Sequence, residues 1–136
     1  MNSQRIEFRK KRWSGKNESG ARPINEMVLI LVDEALETST GGIIIPGTSV
    51  EVNQMRSESG TIVAMADGAF YWNADRSRQY VGDDKPKVGD HILFSRYAGR
   101  ELTGNDGNYY RLMLDKEIGA IALDGGFSVT VAEEKA

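Results

Sequence analysis

The chain has 136 residues, of which 17 are basic and 20 are acidic, and its formal net charge is −3. It contains no cysteine and one histidine, His91, which excludes disulfide frameworks, thiolate metal sites, cysteine nucleophiles and the usual catalytic triads. With 40% apolar residues and no run near the ~20 that a membrane helix needs, the composition predicts one soluble domain of a reducing cytoplasm, with no signal peptide.

Residues 1–20 are the most basic part of the chain. They carry six basic and two acidic residues, a charge of +4, whereas the other residues carry 11 basic and 18 acidic ones, a charge of −7. Because the segment is nearly free of aliphatic side chains, we expect a flexible basic arm. An acidic body repels phosphate, so nucleic-acid binding by the main domain is disfavoured.

The first strand is predicted at Met27–Val32, where six apolar residues follow one another. An unbroken apolar run of this length is typical of a strand buried on both faces. The ordered domain is expected to begin just before it, at Arg22 and Pro23, since proline favours an extended entry.

Residues 33–59 form a long segment of weak structural preference. Their only apolar cluster is Ile43, Ile44 and Ile45, set between two glycines and a Pro-Gly pair. Loops of this length inside a small domain are usually functional or disordered. An interior strand is the alternative interpretation of the cluster, although three residues are few for one.

Short strands separated by turn residues continue to the end of the domain. They are predicted at residues 60–66, 91–94, 100–102, 109–114 and 118–123. A polar excursion at residues 67–87 interrupts them, and residues 104–107 supply the Asn and Gly that tight hairpin turns require. With no long helical period, this pattern predicts an all-β barrel.

Two parts of the sequence carry motifs in a specific order. The first joins Arg22 and Pro23 to the apolar strand and then to Thr-Ser-Thr-Gly-Gly-Ile-Ile-Ile-Pro at residues 38–46. The second is Lys-Val-Gly-Asp-His-Ile-Leu-Phe at residues 87–94, followed by Tyr-Ala-Gly at 97–99 and Ile-Gly-Ala-Ile-Ala at 118–122. In this order they resemble the ten-kilodalton co-chaperonins, the GroES-like lids of chaperonin cages, from about residue 21 to 123.

The resemblance implies an irregular GroES-like β-barrel with a mobile loop at about residues 33–59 and a roof hairpin at about residues 67–87. It implies a homoheptameric ring that caps a GroEL-like chaperonin and encloses a client protein for folding. It also implies ring contacts through Met27–Val32 and residues 118–123 of neighbouring subunits. No catalytic residue, metal or cofactor is implied, because the partner chaperonin hydrolyses ATP.

The resemblance also assigns roles to individual residues. The chaperonin-binding residues are expected to be Gly41, Gly42, Ile43, Ile44 and Ile45. In the roof segment, Phe70, Tyr71 and Trp72 either face the client or form a packed hairpin, and the residues leave both interpretations open. His91 is expected to be a surface or half-buried strand residue.

The basic arm and the tail at residues 124–136 depart from the compact family pattern. They indicate a divergent member, with a phage origin, and hence a host cytoplasm, as one hypothesis. The rival interpretation is a small OB- or SH3-like barrel that binds single-stranded nucleic acid through Tyr71, Trp72, Tyr80 and the basic arm. Only Arg76 and Arg78 supply positive charge beside these aromatic residues, and the net charge of −7 disfavours this rival.

Overall fold

The computed structural model describes residues 3–38, 57–70, 85–123, 126–127 and 129–134. The strands in this part of the chain are β1 Ser3–Arg9, β2 Met27–Val32, β3 Glu34–Thr38, β4 Ser59–Met65, β5 His91–Phe94, β6 Arg100–Thr103, β7 Tyr109–Leu114, β8 Ile118–Ile121 and β9 Val129–Glu134. One short 3₁₀ turn, Asp115–Glu117, joins β7 to β8. The all-β prediction is confirmed, and none of the described residues forms a helix long and apolar enough to cross a membrane.

Six strands form the main antiparallel sheet, in the order β6-β7-β2-β4-β5-β8. The strand β2 lies in its interior, between β7 and β4, and not at an edge. The expectation that Met27–Val32 supplies a ring contact is therefore wrong, because both sides of its backbone already pair within the chain. The strand β8 does lie at an edge, where among the described strands it pairs with β5 alone.

The core occupies both faces of this sheet. Alternate residues of β2 contribute to two buried clusters, Val28 and Ile30 to one and Leu29 and Leu31 to the other. Each of these four side chains is at most 2% exposed. The prediction of a strand buried on both faces is confirmed, because an unbroken apolar run places an apolar side chain on each face of the pleat.

The predicted hairpin is formed by β6 and β7. Tyr110 is buried and its hydroxyl donates a hydrogen bond of 2.5 Å to Asp106 in the turn. Burial raises the pKa of Tyr110 above its ordinary value, and this hydrogen bond raises it further. Burial alone would raise the pKa of Asp106, but the hydrogen bonds from Tyr110 and Asn108 lower it.

The turn that leads into β6 is held by Arg111 of β7. This side chain is 3% exposed, and its guanidinium donates to the backbone oxygens of Arg96 and Ala98. Burial lowers the pKa of Arg111, while the carboxylate of Glu101 acts in the opposite direction. Gly99 completes the turn with a φ of 67°, and a Cβ there would collide with backbone and side-chain atoms of β7.

The two terminal strands, β1 and β9, form a second antiparallel sheet together with β3, in the order β3-β1-β9. In its centre Phe8 lies opposite Ala35 on one side and Val129 on the other, and Phe8 and Ala35 are both 2% exposed. The expectation of a flexible arm does not hold for Ser3–Arg9. Apolar residues at 6 and 8 alternate with charged ones, and this two-residue period is a strand signal that the overall composition of the segment conceals.

Candidate functional site

The site that the sequence predicts for partner binding lies on residues 41–45, inside a segment whose two ends the structure describes. We call these ends, residues 33–38 and 57–59, the stem. The amide of Asp33 donates to the oxygen of Ser59 at 3.1 Å, and the amide of Phe94 donates to the oxygen of Glu58 at 2.8 Å. The two ends of the segment are thus joined to each other and to β5.

A buried polar network lies in the stem. Asp33 is 0% exposed, and its Oδ2 accepts a hydrogen bond of 2.6 Å from the Ser59 hydroxyl and lies 2.7 Å from Nε2 of His91. The expectation of a surface or half-buried His91 is wrong, since His91 is only 8% exposed. A buried carboxylate requires such partners, because burying an unpaired charge is strongly unfavourable.

The network is structural and not a hydrolytic triad. Ser59 donates to the carboxylate of Asp33 and not to the histidine, so His91 does not activate the hydroxyl. All three side chains are buried, which leaves a substrate no access to them. Among the described residues no group of three or more His, Cys, Asp or Glu side chains is placed to hold a metal ion.

The carboxyl-terminal segment contacts the buried network through His91. The ring of Phe127 stacks on His91 with 4.6 Å between centroids and an angle of 16° between planes. Since His91 contacts Asp33 on another side, the aromatic stack covers the buried network. The sequence does not reveal this contact, because Phe127 is distant from His91 in the chain and belongs to no recognisable motif.

The basic segment after β1 packs along the main sheet. Nζ of Lys11 lies 2.9 Å from Oε1 of Glu34, and the Trp13 indole donates to the backbone oxygen of Lys16. A cavity of about 320 Å³ opens here, lined by Lys10, Lys11, Arg12, Trp13, Thr61 and Gly89. The ion pair of Lys11 with Glu34 and the packing of Trp13 against the cluster of Leu29 and Leu31 attach the segment to the domain.

The predicted binding residues fall mostly outside the described part of the chain. This holds for Gly41, Gly42, Ile43, Ile44 and Ile45, and also for Tyr71, Trp72 and Tyr80.

Phe70, the described member of the roof cluster, is buried. It is 5% exposed, belongs to the core cluster of Val28 and Ile30, and its amide donates 2.7 Å to Oδ2 of Asp115. A client-facing role for Phe70 is therefore wrong in this chain, and the packed alternative agrees with its burial. Its φ of 65° shows that the backbone turns sharply where the excursion begins.

Comparison with known proteins identifies a family and several relatives that the sequence resembles. The sequence model of the family described as Chaperonin 10 Kd subunit matches residues 20–122. That match includes the whole stem and β2 to β8, whereas β1 and β9 lie outside it.

Individual relatives match the chain over similar lengths. The chain is 33% identical over 100 residues to the co-chaperonin GroES of Dichelobacter nodosus, covering 74% of this chain and 95% of the relative. It is 32% identical over 101 residues to the co-chaperonin GroES of Exiguobacterium sibiricum, covering 74% and 97%. To the co-chaperonin GroES of Halorhodospira halophila it is 35% identical over 100 residues, covering 74% and 94%.

Proposed function

This chain belongs to the chaperonin 10 kDa subunit family and is a non-enzymatic co-chaperonin, and from that premise we propose that several copies form a ring, which caps a GroEL-like chaperonin through residues 41–45. The observation that carries the proposal is the family match over residues 20–122, which spans the isoleucine segment and both ends of its stem. A heptamer is the ring that the family resemblance implies.

The chemistry of the three isoleucines suits reversible docking. Burying each of Ile43, Ile44 and Ile45 in an apolar groove contributes about 1.5–3 kcal/mol, or about 4–9 kcal/mol in total. Ordering a flexible segment costs about 1–2 kcal/mol for each residue fixed, so a single copy binds weakly. A ring that presents several copies to a matching ring regains affinity through effective concentration, by on the order of a hundredfold or more.

We assign one ring contact to the outer edge of β8. Gly119 and Ala120 are exposed there, and Leu123 just beyond the strand is 85% exposed. An apolar edge of this kind is a ready template for a strand of another chain. In the ring, pairing with a neighbouring copy covers this edge.

The remaining parts of the proposal concern the enclosed space and the cell compartment. Tyr71 and Trp72 are proposed to face the client from the roof of the ring, while Phe70 anchors their segment to the core. The cytoplasm, or the host cytoplasm for a phage-encoded chain, is the proposed compartment.

The experiment that tests the proposal is capture of the full chain by a purified bacterial GroEL-like chaperonin, with and without ATP. The native chain is compared with a variant in which Ile43, Ile44 and Ile45 are all replaced by serine. The matched control is Ile24→Ser, because Ile24 is 60% exposed and lies outside the binding segment. Nucleotide-dependent capture of the native chain and the control, but not of the triple variant, is the expected result.

Two results contradict the proposal. Equal capture of the native chain and the triple variant would remove the isoleucines from the binding site. A chain that is monomeric by analytical ultracentrifugation and ignores the chaperonin in both nucleotide conditions would remove the lid function altogether.

A further inference from the structure

Parts of the chain that lie outside the family match are connected to the stem, directly or through one intervening strand or side chain. The strands β1 and β9 and the residue Phe127 lie outside residues 20–122, whereas β3, the first arm of the stem, lies inside. The relatives are matched over 94–97% of their own length but over only 74% of this chain. Compared with those relatives, the second sheet is therefore an addition built onto a shared segment.

The contact with the stem is extensive. Backbone pairing of β1 with β3 runs over five residues, from Arg5 opposite Thr38 to Arg9 opposite Glu34. β1 is itself held from its other side by β9, along six paired residues. At the same end of the pairing, Phe8 is buried and Lys11 forms an ion pair with Glu34.

The second contact reaches the stem indirectly, through His91. Phe127 stacks on His91, and His91 lies 2.7 Å from Asp33, the residue between β2 and β3. The amino-terminal and carboxyl-terminal additions thus reach the stem by independent routes, one through the backbone of β3 and one through the Asp33 network.

We infer that these terminal additions hold the stem in one conformation before docking and thereby raise the affinity of this co-chaperonin for its chaperonin, an inference that rests on the proposed function. Fixing the backbone of one residue corresponds to a factor of roughly five to thirty in an equilibrium constant. Residues of β3 that are already paired with β1 need no ordering when residues 41–45 dock. A chain that loses this pairing must order them on binding, so it binds more weakly.

The test uses the full chain with Glu7→Pro, and Glu7→Thr as its matched control. Because β1 is paired on both sides, proline at position 7 removes a backbone donor from an inner strand, where proline is not tolerated. Threonine at the same position retains the donor and favours a strand. Amide hydrogen exchange of residues 34–38 reports the stem, and titration with purified GroEL-like chaperonin and nucleotide reports affinity.

For Glu7→Pro we expect exchange of residues 34–38 to become at least tenfold faster and chaperonin affinity to fall at least tenfold, while Glu7→Thr remains within twofold of the native chain. The midpoint of urea unfolding of the main sheet should not change, which separates loss of the stem from a general loss of stability. Faster exchange with unchanged affinity overturns the inference and leaves the proposed function intact, and so does unchanged exchange. A native chain that binds no chaperonin overturns the proposed function and the inference with it.

A second variant tests the inference if Glu7→Pro does not fold. Phe127→Ala removes the stack on His91 without touching β1, and Phe127→Tyr is its control because it keeps the aromatic ring. We expect three- to tenfold weaker binding for Phe127→Ala and native binding for Phe127→Tyr. Native affinity of Phe127→Ala in that case overturns the inference.

Discussion

Replacing Asp33 with alanine removes the shared acceptor of the stem network. Its Oδ2 accepts from the Ser59 hydroxyl at 2.6 Å and lies 2.7 Å from Nε2 of His91, and all three side chains are buried. The substitution leaves a buried hydroxyl and a buried imidazole nitrogen without this partner. It also removes the side chain that connects the end of β2 with the beginnings of β4 and β5.

The size of the effect follows from burial. Removing one partner of a buried pair costs about 3–5 kcal/mol, because the remaining polar groups keep their desolvation penalty. Oδ1 of Asp33 has no hydrogen-bond partner among the described residues, so the native carboxylate already carries part of that penalty. We therefore expect Asp33→Ala to lower the free energy of unfolding by about 3 kcal/mol, the lower end of this range.

The assay is urea unfolding at pH 7, followed by circular dichroism at a fixed protein concentration, because assembly makes apparent stability depend on concentration. The matched control is Glu34→Ala at the neighbouring acidic residue, which loses only a partly exposed ion pair with Lys11 and at most about 1 kcal/mol. A loss for Asp33→Ala no larger than that of Glu34→Ala would refute the role assigned to the network.

Three further predictions concern the main sheet. Gly99→Ala should lower stability by about 2–4 kcal/mol, from positive φ and a collision with β7. Gly107→Ala, also at positive φ but in open space, should cost about 1–2 kcal/mol, and equal losses would contradict the collision. Because the pKa of Asp106 is lowered in the folded chain, its contribution exists above the ordinary value of 3.8 and disappears as pH falls below it. Asp106→Asn should therefore unfold at lower urea than the native chain at pH 7, with a difference that shrinks as the pH is lowered below 3.8, and a difference independent of pH would contradict this. Arg111→Met should cost about 2–4 kcal/mol, since two backbone oxygens lose their charged donor, and an unchanged urea midpoint would show that other groups hold the turn.

Much of the main sheet could be predicted from local sequence. Met27–Val32 is an unbroken apolar run, and β5 and β7 lie at the predicted residues. These segments have strong local signals, because burial on one or both faces requires apolar residues at a fixed period. The strand β3 has no such signal. It is a short acidic segment that becomes a strand only because β1, distant in the chain, supplies its pairing partner.

One part of the candidate site could likewise be predicted from the sequence, and another part could not. The isoleucine segment and its glycines can be recognised from sequence, since their composition and order are local properties. The network of Asp33, Ser59 and His91 cannot, because its members belong to three different strand ends that meet only after the sheet has formed.

By itself, the sequence determined the fold class, the family and the segment proposed to bind the chaperonin, since these depend on residue types in a given order. Only the tertiary structure decided that Met27–Val32 is an interior strand and that Phe70 and His91 are buried. It also decided that β1 pairs with the stem and that Phe127 stacks on His91. Burial and strand pairing between distant residues depend on which segments meet in space, and the local pattern of side chains does not specify those meetings.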